Sequence, residues 1–220
     1  MMAVPAAADD SSDCRLVHAD PAKAITACQR RAEQGDVDAL NYLGYMYADG
    51  HMVAQDFEQA RRLFEKSAAR GNAVGQYSLG VMYDYGMGVE TDYAAAASWY
   101  RKAAEQGLTA AENDLGFMYA HGMGVEQDLR QAATWYRRAA VQGDGLAQNN
   151  LGLMYKTGAG VEQDLVQAYM WFKLAERSMP EGVDRDAVIQ NKEDAAGKMT
   201  AEQIDDAEKR VREWQRAPAY

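Results

Sequence analysis

A block of 36 residues occurs four times in this chain of 220 residues, with no insertion or deletion between the copies. The dipeptide Leu-Gly stands at 43–44, 79–80, 115–116 and 151–152, and each copy has Met-Tyr at the same offset behind it. A strict period of this length is the signature of stacked structural repeats. Because such a stack presents an extended surface, the pattern favours binding over catalysis.

The third copy shows how one repeat folds. Ala111, Leu115 and Met118 recur at helical spacing and predict a first helix, which we name helix A. Gly122 and Gly124 suit the end of that helix and a turn that needs positive φ. Met52 replaces the second of these turn glycines in the first copy, so we expect a tighter or displaced turn there.

A second helix, helix B, completes each repeat. Asp128 is the expected N-cap, and Gln131 three residues later predicts a capping box. The same Asp-x-x-Gln pattern recurs at Asp56/Gln59 and Asp164/Gln167. Trp135 and Tyr136 lie on the predicted buried stripe, so each copy should form a helical hairpin.

The two ends differ from the repeats. Residues 20–35 align with helix B alone and predict a capping half-repeat after a flexible segment, 1–19. Residues 180–220 predict C-terminal capping helices, with Thr200 and Gln203 as a capping box; Trp214 belongs to this cap or anchors a partner. Cys14 and Cys28 either form a disulfide in an oxidising compartment or are one exposed and one core thiol.

These motifs resemble those of the Sel-1-like repeat (SLR) family, a relative of the tetratricopeptide repeats. The resemblance rests on the runs Ala111–Tyr119, Gly122–Val125 and Ala132–Ala140 of the third copy, together with Asp128. It implies an all-α fold, a right-handed α/α superhelical solenoid of stacked hairpins. The predicted repeats are 36–71, 72–107, 108–143 and 144–179. The resemblance also implies a setting in bacterial signalling, envelope assembly or host interaction.

Composition and motifs exclude several classes of function. The net charge of −10 argues against binding to duplex nucleic acid, which needs clustered cations. No apolar run approaches the roughly 18 residues of a membrane span, so we expect no membrane insertion. His18, His51 and His121 are scattered and the two cysteines form no CxxC pair, so the sequence predicts no metal, no cofactor and no enzyme activity.

The exposed side of helix A is the predicted site, because in two-helix solenoids it lines the concave groove. Aromatic rings, amides and acids alternate there, which suits a bound peptide. The alternative for the asparagines is a structural bond to the backbone of the next repeat. The candidate partner-binding residues are Asn41, Tyr42, Tyr45, Asp49, Tyr77, Asp84, Tyr85, Asn113, Phe117, His121, Asn149, Asn150 and Lys156.

The sequence therefore predicts a non-enzymatic adaptor that holds a peptide or a partner domain. A binder or hydrolase of glycans or cell-wall fragments, and a self-associating structural scaffold, are the alternatives. A monomer is favoured over an oligomer. The compartment stays open, because the Ala- and Asp-rich N-terminus suits either an exported protein or a disordered tail.

Overall fold

The computed structural model describes residues 21–216, and this part of the chain contains eleven α-helices and no strand. The all-α fold predicted from the repeats is therefore confirmed. The helices are α1 (Pro21–Glu33), α2 (Val37–Asp49), α3 (Phe57–Ala68), α4 (Ala73–Tyr85), α5 (Tyr93–Glu105), α6 (Thr109–His121), α7 (Leu129–Val141), α8 (Gly145–Thr157), α9 (Leu165–Ser178), α10 (Val183–Ala196) and α11 (Ala201–Arg216).

The described part of the chain divides into two compact units, with the boundary between residues 106 and 107. In the first unit, α2 and α4 are A helices, and they pack against the B helices α3 and α5. In the second unit, the A helices α6 and α8 pack in the same way against α7 and α9, and α10 and α11 cover α9. Each unit is thus a stack of helical hairpins, as the repeat predicts.

Each hairpin is held together where a small residue of helix A meets an aromatic ring of helix B. A Cβ atom added to Gly80 would lie 2.5 Å from Cδ1 of Tyr100, and one added to Gly152 would lie 2.6 Å from Cε1 of Phe172. Both rings are fully buried. The glycine columns therefore allow the two helices of a hairpin to approach at close range, and the aromatic columns fill the space.

The aspartate caps form as predicted, but the glutamine half of the capping box does not. Asp128 Oδ1 accepts from the N–H groups of Arg130 and Gln131, at 2.9 and 3.0 Å. The N–H of Asp128, which Gln131 was expected to bind, donates instead to the carbonyl oxygen of Tyr119 at 3.0 Å. Helix A supplies a backbone acceptor that the sequence pattern cannot show.

The capping box of the last helix forms in full. The N–H of Thr200 donates to Gln203 Oε1 at 2.9 Å, and the N–H of Gln203 donates to Thr200 Oγ1 at 3.3 Å. Along α11, Val211 is fully buried, and the ring of Trp214 packs edge-on against Trp171 with centroids 5.2 Å apart. Trp214 keeps 38% of its surface exposed, so it covers the end of the core only in part.

The turn of the first repeat is neither tighter nor displaced, contrary to the expectation from Met52. Met52 has φ of 67°, while Gly88 and Gly160 at the equivalent positions have 69° and 71°. The N–H of Asp56 still donates to the Tyr47 carbonyl oxygen, at 2.9 Å. This bond holds the turn in the same form, and a non-glycine residue therefore adopts a left-handed conformation that is strained for it.

The N-terminal cysteines lie only partly within the described residues. Cys28 is fully buried against Ala39, Leu43 and Met46, and its sulfur is disulfide-bonded. Cys14 and the segment 1–19 lie outside the described residues. The pairing of Cys14 with Cys28 stays a prediction.

Candidate functional site

The predicted site residues lie on the A helices of both units, and we name the exposed side of these helices the A face of each unit. In the first unit the A face comprises candidate residues of α2 and α4. In the second unit it comprises candidate residues of α6 and α8. We describe the two A faces separately, beginning with the first unit.

Two tyrosines are the most exposed aromatic residues of the first unit's A face. Tyr85, at the end of α4, leaves 75% of its surface exposed, and Tyr45 on α2 leaves 40%. The Tyr45 hydroxyl is joined to Ser78 Oγ by a hydrogen bond of 2.9 Å, and its ring packs edge-on against Phe64 at 5.2 Å. Tyr45 therefore also links α2 to α4 and α3, whereas Tyr85 stands open to a partner.

The other residues of this A face are less exposed. Asp49 is exposed at the end of α2, and Tyr42 is half-buried. Tyr77 and Asp84 are half-buried beside Tyr100 of α5. The Tyr100 hydroxyl donates to Asp84 Oδ2 at 3.1 Å, and the rings of Tyr77 and Tyr100 lie 5.5 Å apart. These contacts fix both side chains in position.

Asn41 is not a surface residue, and its assignment to the exposed side was wrong. Only 6% of its surface is exposed. Its Nδ2 donates to Asn72 Oδ1 at 2.9 Å, and the same oxygen accepts the N–H of Gly75 and so caps α4. A helical wheel treats α2 as isolated, whereas α4 lies alongside and covers this side of it.

In the second unit, asparagines connect neighbouring helices. Asn150 Nδ2 of α8 donates to Asn113 Oδ1 of α6 at 3.5 Å. Asn191 Nδ2 of α10 donates to Asn149 Oδ1 of α8 at 3.2 Å. The structural alternative for the asparagines is thus the better description, although their partners are side-chain amides instead of backbone groups. All four side chains are half-buried.

The exposed part of the second unit's A face centres on an aromatic pair. Phe117 leaves 44% of its surface exposed, and its ring lies 4.2 Å from the ring of His121, which is also exposed. Lys156 is half-buried, and its Nζ lies 3.3 Å from Asp194 Oδ2. An apolar ring therefore dominates this A face, and its lysine already has a counter-charge.

Sequence reasoning missed one buried charged group, Glu112 of α6. Its side chain is 1% exposed; Oε1 lies 2.7 Å from Arg138 Nε, and Oε2 accepts from Gln142 Nε2 at 2.7 Å. Burial raises the pKa of Glu112 above its ordinary value, although Arg138 and Gln142 oppose this shift. The sequence did contain a signal for a polar residue at this position, because Gln76 and Gln148 are equivalent to Glu112 in their repeats.

A cavity of about 560 Å³ lies at the start of α9, away from the predicted site. Its lining includes Tyr155, Asp164, Gln167 and Gln203 and none of the candidate residues. Across residues 21–216, no group of three or more His, Cys, Asp or Glu side chains is placed to hold a metal ion. Within the same range, no helix is both long and apolar enough to cross a membrane.

Comparison with known proteins identifies the repeat. A family model described as the Sel1 repeat matches residues 37–72, 73–108, 109–144 and 145–178. No curated protein sequence matches the chain.

Solved structures that are similar to the chain include the following two. One is a protective antigen present in uropathogenic Escherichia coli strains, displaying an SLR fold; it is 36% identical over 96% of this chain and 46% of its own, with a TM-score of 0.83. The other is a Sel1 repeat protein from Oxalobacter formigenes, which is 34% identical over 78% of this chain and 49% of its own, with a TM-score of 0.70. This chain therefore matches about half the length of each.

Proposed function

Because the chain belongs to the Sel1 repeat family, we propose that it is a non-enzymatic adaptor that binds a peptide or a partner domain on its A faces. Sel1 repeat proteins are generally protein-interaction scaffolds, and the fold is generally non-catalytic. The proposal adds to these statements the surface that the partner contacts and the residues that contact it.

The observation that carries the proposal is that the A face of each unit exposes a large aromatic ring. Tyr85 and Phe117 leave 75% and 44% of their surfaces exposed. Aromatic residues are enriched at protein interfaces and supply much of the binding energy there. The bonds of Asn113 and Asn149 to neighbouring helices fix the helices that surround Phe117, so a partner would meet a preformed surface.

The test compares pull-downs from a native lysate of the source cells with wild-type protein and with the variant Tyr85→Ala/Phe117→Ala. We avoid Tyr45, because its contacts with Ser78 and Phe64 make its removal a change in stability as well. The matched control is Val141→Ala/Val183→Ala, which shortens two exposed apolar side chains on other helices.

We expect the wild type and the control to retain the same protein and the Tyr85/Phe117 variant to lose it. Loss of an aromatic residue at the centre of an interface costs about 2 kcal/mol or more, so the affinity measured by calorimetry should fall at least about 30-fold. Circular dichroism would check that both variants stay folded. If all three forms retain the same proteins, or retain none, the A faces are not the binding surface.

A further inference from the structure

Charge is segregated in the first unit. The A helices α2 and α4 carry Asp38, Asp49 and Asp84, and they contain no lysine, arginine or histidine. The lysines and arginines of the same repeats lie on the B helices or directly after one; they are Arg61, Arg62, Lys66, Arg70, Arg101 and Lys102. No cation of α2 or α4 therefore offsets the carboxylates of this A face.

Three of the cations of the B helices have partners on their own helix. Arg61 and Arg62 pair with Glu65 and Glu58 on α3. Lys102 Nζ lies 3.8 Å from the centroid of the Trp99 ring on α5. These partners hold the positive charges on the B helices.

Two of the aspartates lie where a helix tolerates negative charge least. Asp49 is the last residue of α2, and Asp84 is the second-last residue of α4. The C-terminal end of a helix carries partial negative charge, so cations stabilise this turn and a carboxylate costs about 0.3–1 kcal/mol there. Neither helix has a basic residue in its last turn. Asp84 also accepts a hydrogen bond from the Tyr100 hydroxyl at 3.1 Å, but a neutral acceptor could fill that role, so the negative charges at these helix ends favour a role in binding.

Tyr85 lies beside these carboxylates. It follows Asp84 directly, and it occupies the position of its repeat that Asp49 occupies in the preceding one. Two hydrogen bonds, Asn41 to Asn72 and Tyr45 to Ser78, join α2 to α4 and its N-cap, so the two helices run in the same direction and their C-terminal ends lie at the same end of this A face. A phenol ring that is 75% exposed at the same helix ends as two carboxylates can attract a cation through its face, in addition to the attraction of the charges.

We propose that the C-terminal ends of α2 and α4 bind an arginine- or lysine-bearing segment of the partner, an assignment that rests on the proposed adaptor function. The cation lies over the Tyr85 ring and pairs with Asp49 and Asp84. Extended positive side chains complement this surface in charge, and an acidic partner is repelled by it. In the second unit, His121 and Lys156 stand at the positions equivalent to Tyr85 and Asp84, so this specificity belongs to the first unit alone.

The test measures binding of the 220-residue chain to a dye-labelled peptide of twelve residues with four arginines separated by serine and alanine. Fluorescence anisotropy gives the Kd at low and at high salt. A second peptide has glutamine at the four arginine positions, and a third has glutamate. The variants are Asp49→Asn/Asp84→Asn and Tyr85→Ala. The control is Glu126→Gln/Asp205→Asn, which removes the same charge from exposed positions of the second unit.

We expect the arginine peptide alone to bind, with a Kd that rises at least about tenfold in the Asp49/Asp84 variant and about threefold to tenfold in Tyr85→Ala. The control should change the Kd less than twofold. The proposal is overturned if the arginine peptide fails to bind, or if the control weakens binding as much as the Asp49/Asp84 variant, since the attraction would then reflect net charge. The single variant Phe117→Ala in the lysate experiment would report on the adaptor function independently, because Phe117 plays no part in this peptide test.

Discussion

Replacing Arg138 with alanine should destabilise the protein to a degree that depends strongly on pH. In the wild type, Arg138 is the charged partner of Glu112, whose carboxylate is 1% exposed. Burial raises the pKa of Glu112, so the folded chain binds this proton more tightly than the unfolded chain. Stability linked to Glu112 is therefore present at low pH and is lost as the pH rises above 4.5, the ordinary value for this group.

Protonation of Glu112 sets an upper limit on how much Arg138→Ala can destabilise the protein. Once Arg138 is absent, the folded chain can keep the buried side chain neutral instead of leaving a charge unpaired. Protonating a group with an ordinary pKa of 4.5 costs 1.36 kcal/mol for each pH unit above that value. The electrostatic cost of Arg138→Ala therefore cannot exceed about 3.4 kcal/mol at pH 7 and about 0.7 kcal/mol at pH 5.

Urea denaturation followed by far-UV circular dichroism at pH 5, 6 and 7 would measure this dependence. The control is the same substitution in a Glu112→Gln background, because Gln76 and Gln148 show that the fold accepts glutamine at this position. In that background the cost should be about 1 kcal/mol at every pH, which reflects the lost stacking of Arg138 on Trp135 at 4.7 Å. An equal cost of Arg138→Ala at pH 5 and pH 7 would refute the reasoning.

Two further predictions concern positions with positive φ. Gly160→Ala should lower the free energy of unfolding by about 3 kcal/mol or more, because the new Cβ would lie 2.2 Å from the Leu129 carbonyl oxygen. Gly143 also has positive φ, but a Cβ there would meet no atom within 4 Å, so Gly143→Ala should cost only about 1 kcal/mol. Equal melting temperatures for the two variants would contradict this prediction. Met52→Gly should be more stable than Met52→Ala by about 0.5–1 kcal/mol in thermal denaturation, because both lose the side chain and only glycine relieves the left-handed strain at φ of 67°.

Most of the fold could be predicted from the sequence, because its determinants are local and are repeated. The spacing of Ala111, Leu115 and Met118 predicts helix A, and Asp128 caps helix B as expected. Small residues that face aromatic rings, such as Gly116 and Tyr136, explain how the two helices pack. Each of these signals involves residues close in the chain, and four copies confirm one another.

The candidate site was predicted less well, because exposure depends on which helices lie beside helix A. Tyr85, Phe117 and Asp49 are exposed as expected. Asn41 is buried by α4, and Asn149 is bonded to an amide of α10, a helix outside the repeats. A helical wheel places a residue relative to its own helix axis only, so it cannot show such neighbours.

The sequence by itself determined the repeat, the helical hairpins, the caps and the absence of cations from α2 and α4. Only the tertiary structure decided which amides serve as structural links, that Met52 keeps the left-handed turn, and that Glu112 is buried against Arg138. The physical reason is the separation along the chain of the residues that each interaction involves. Helix formation and capping depend on residues within about four positions, whereas burial and pairing depend on groups that folding brings together from different helices.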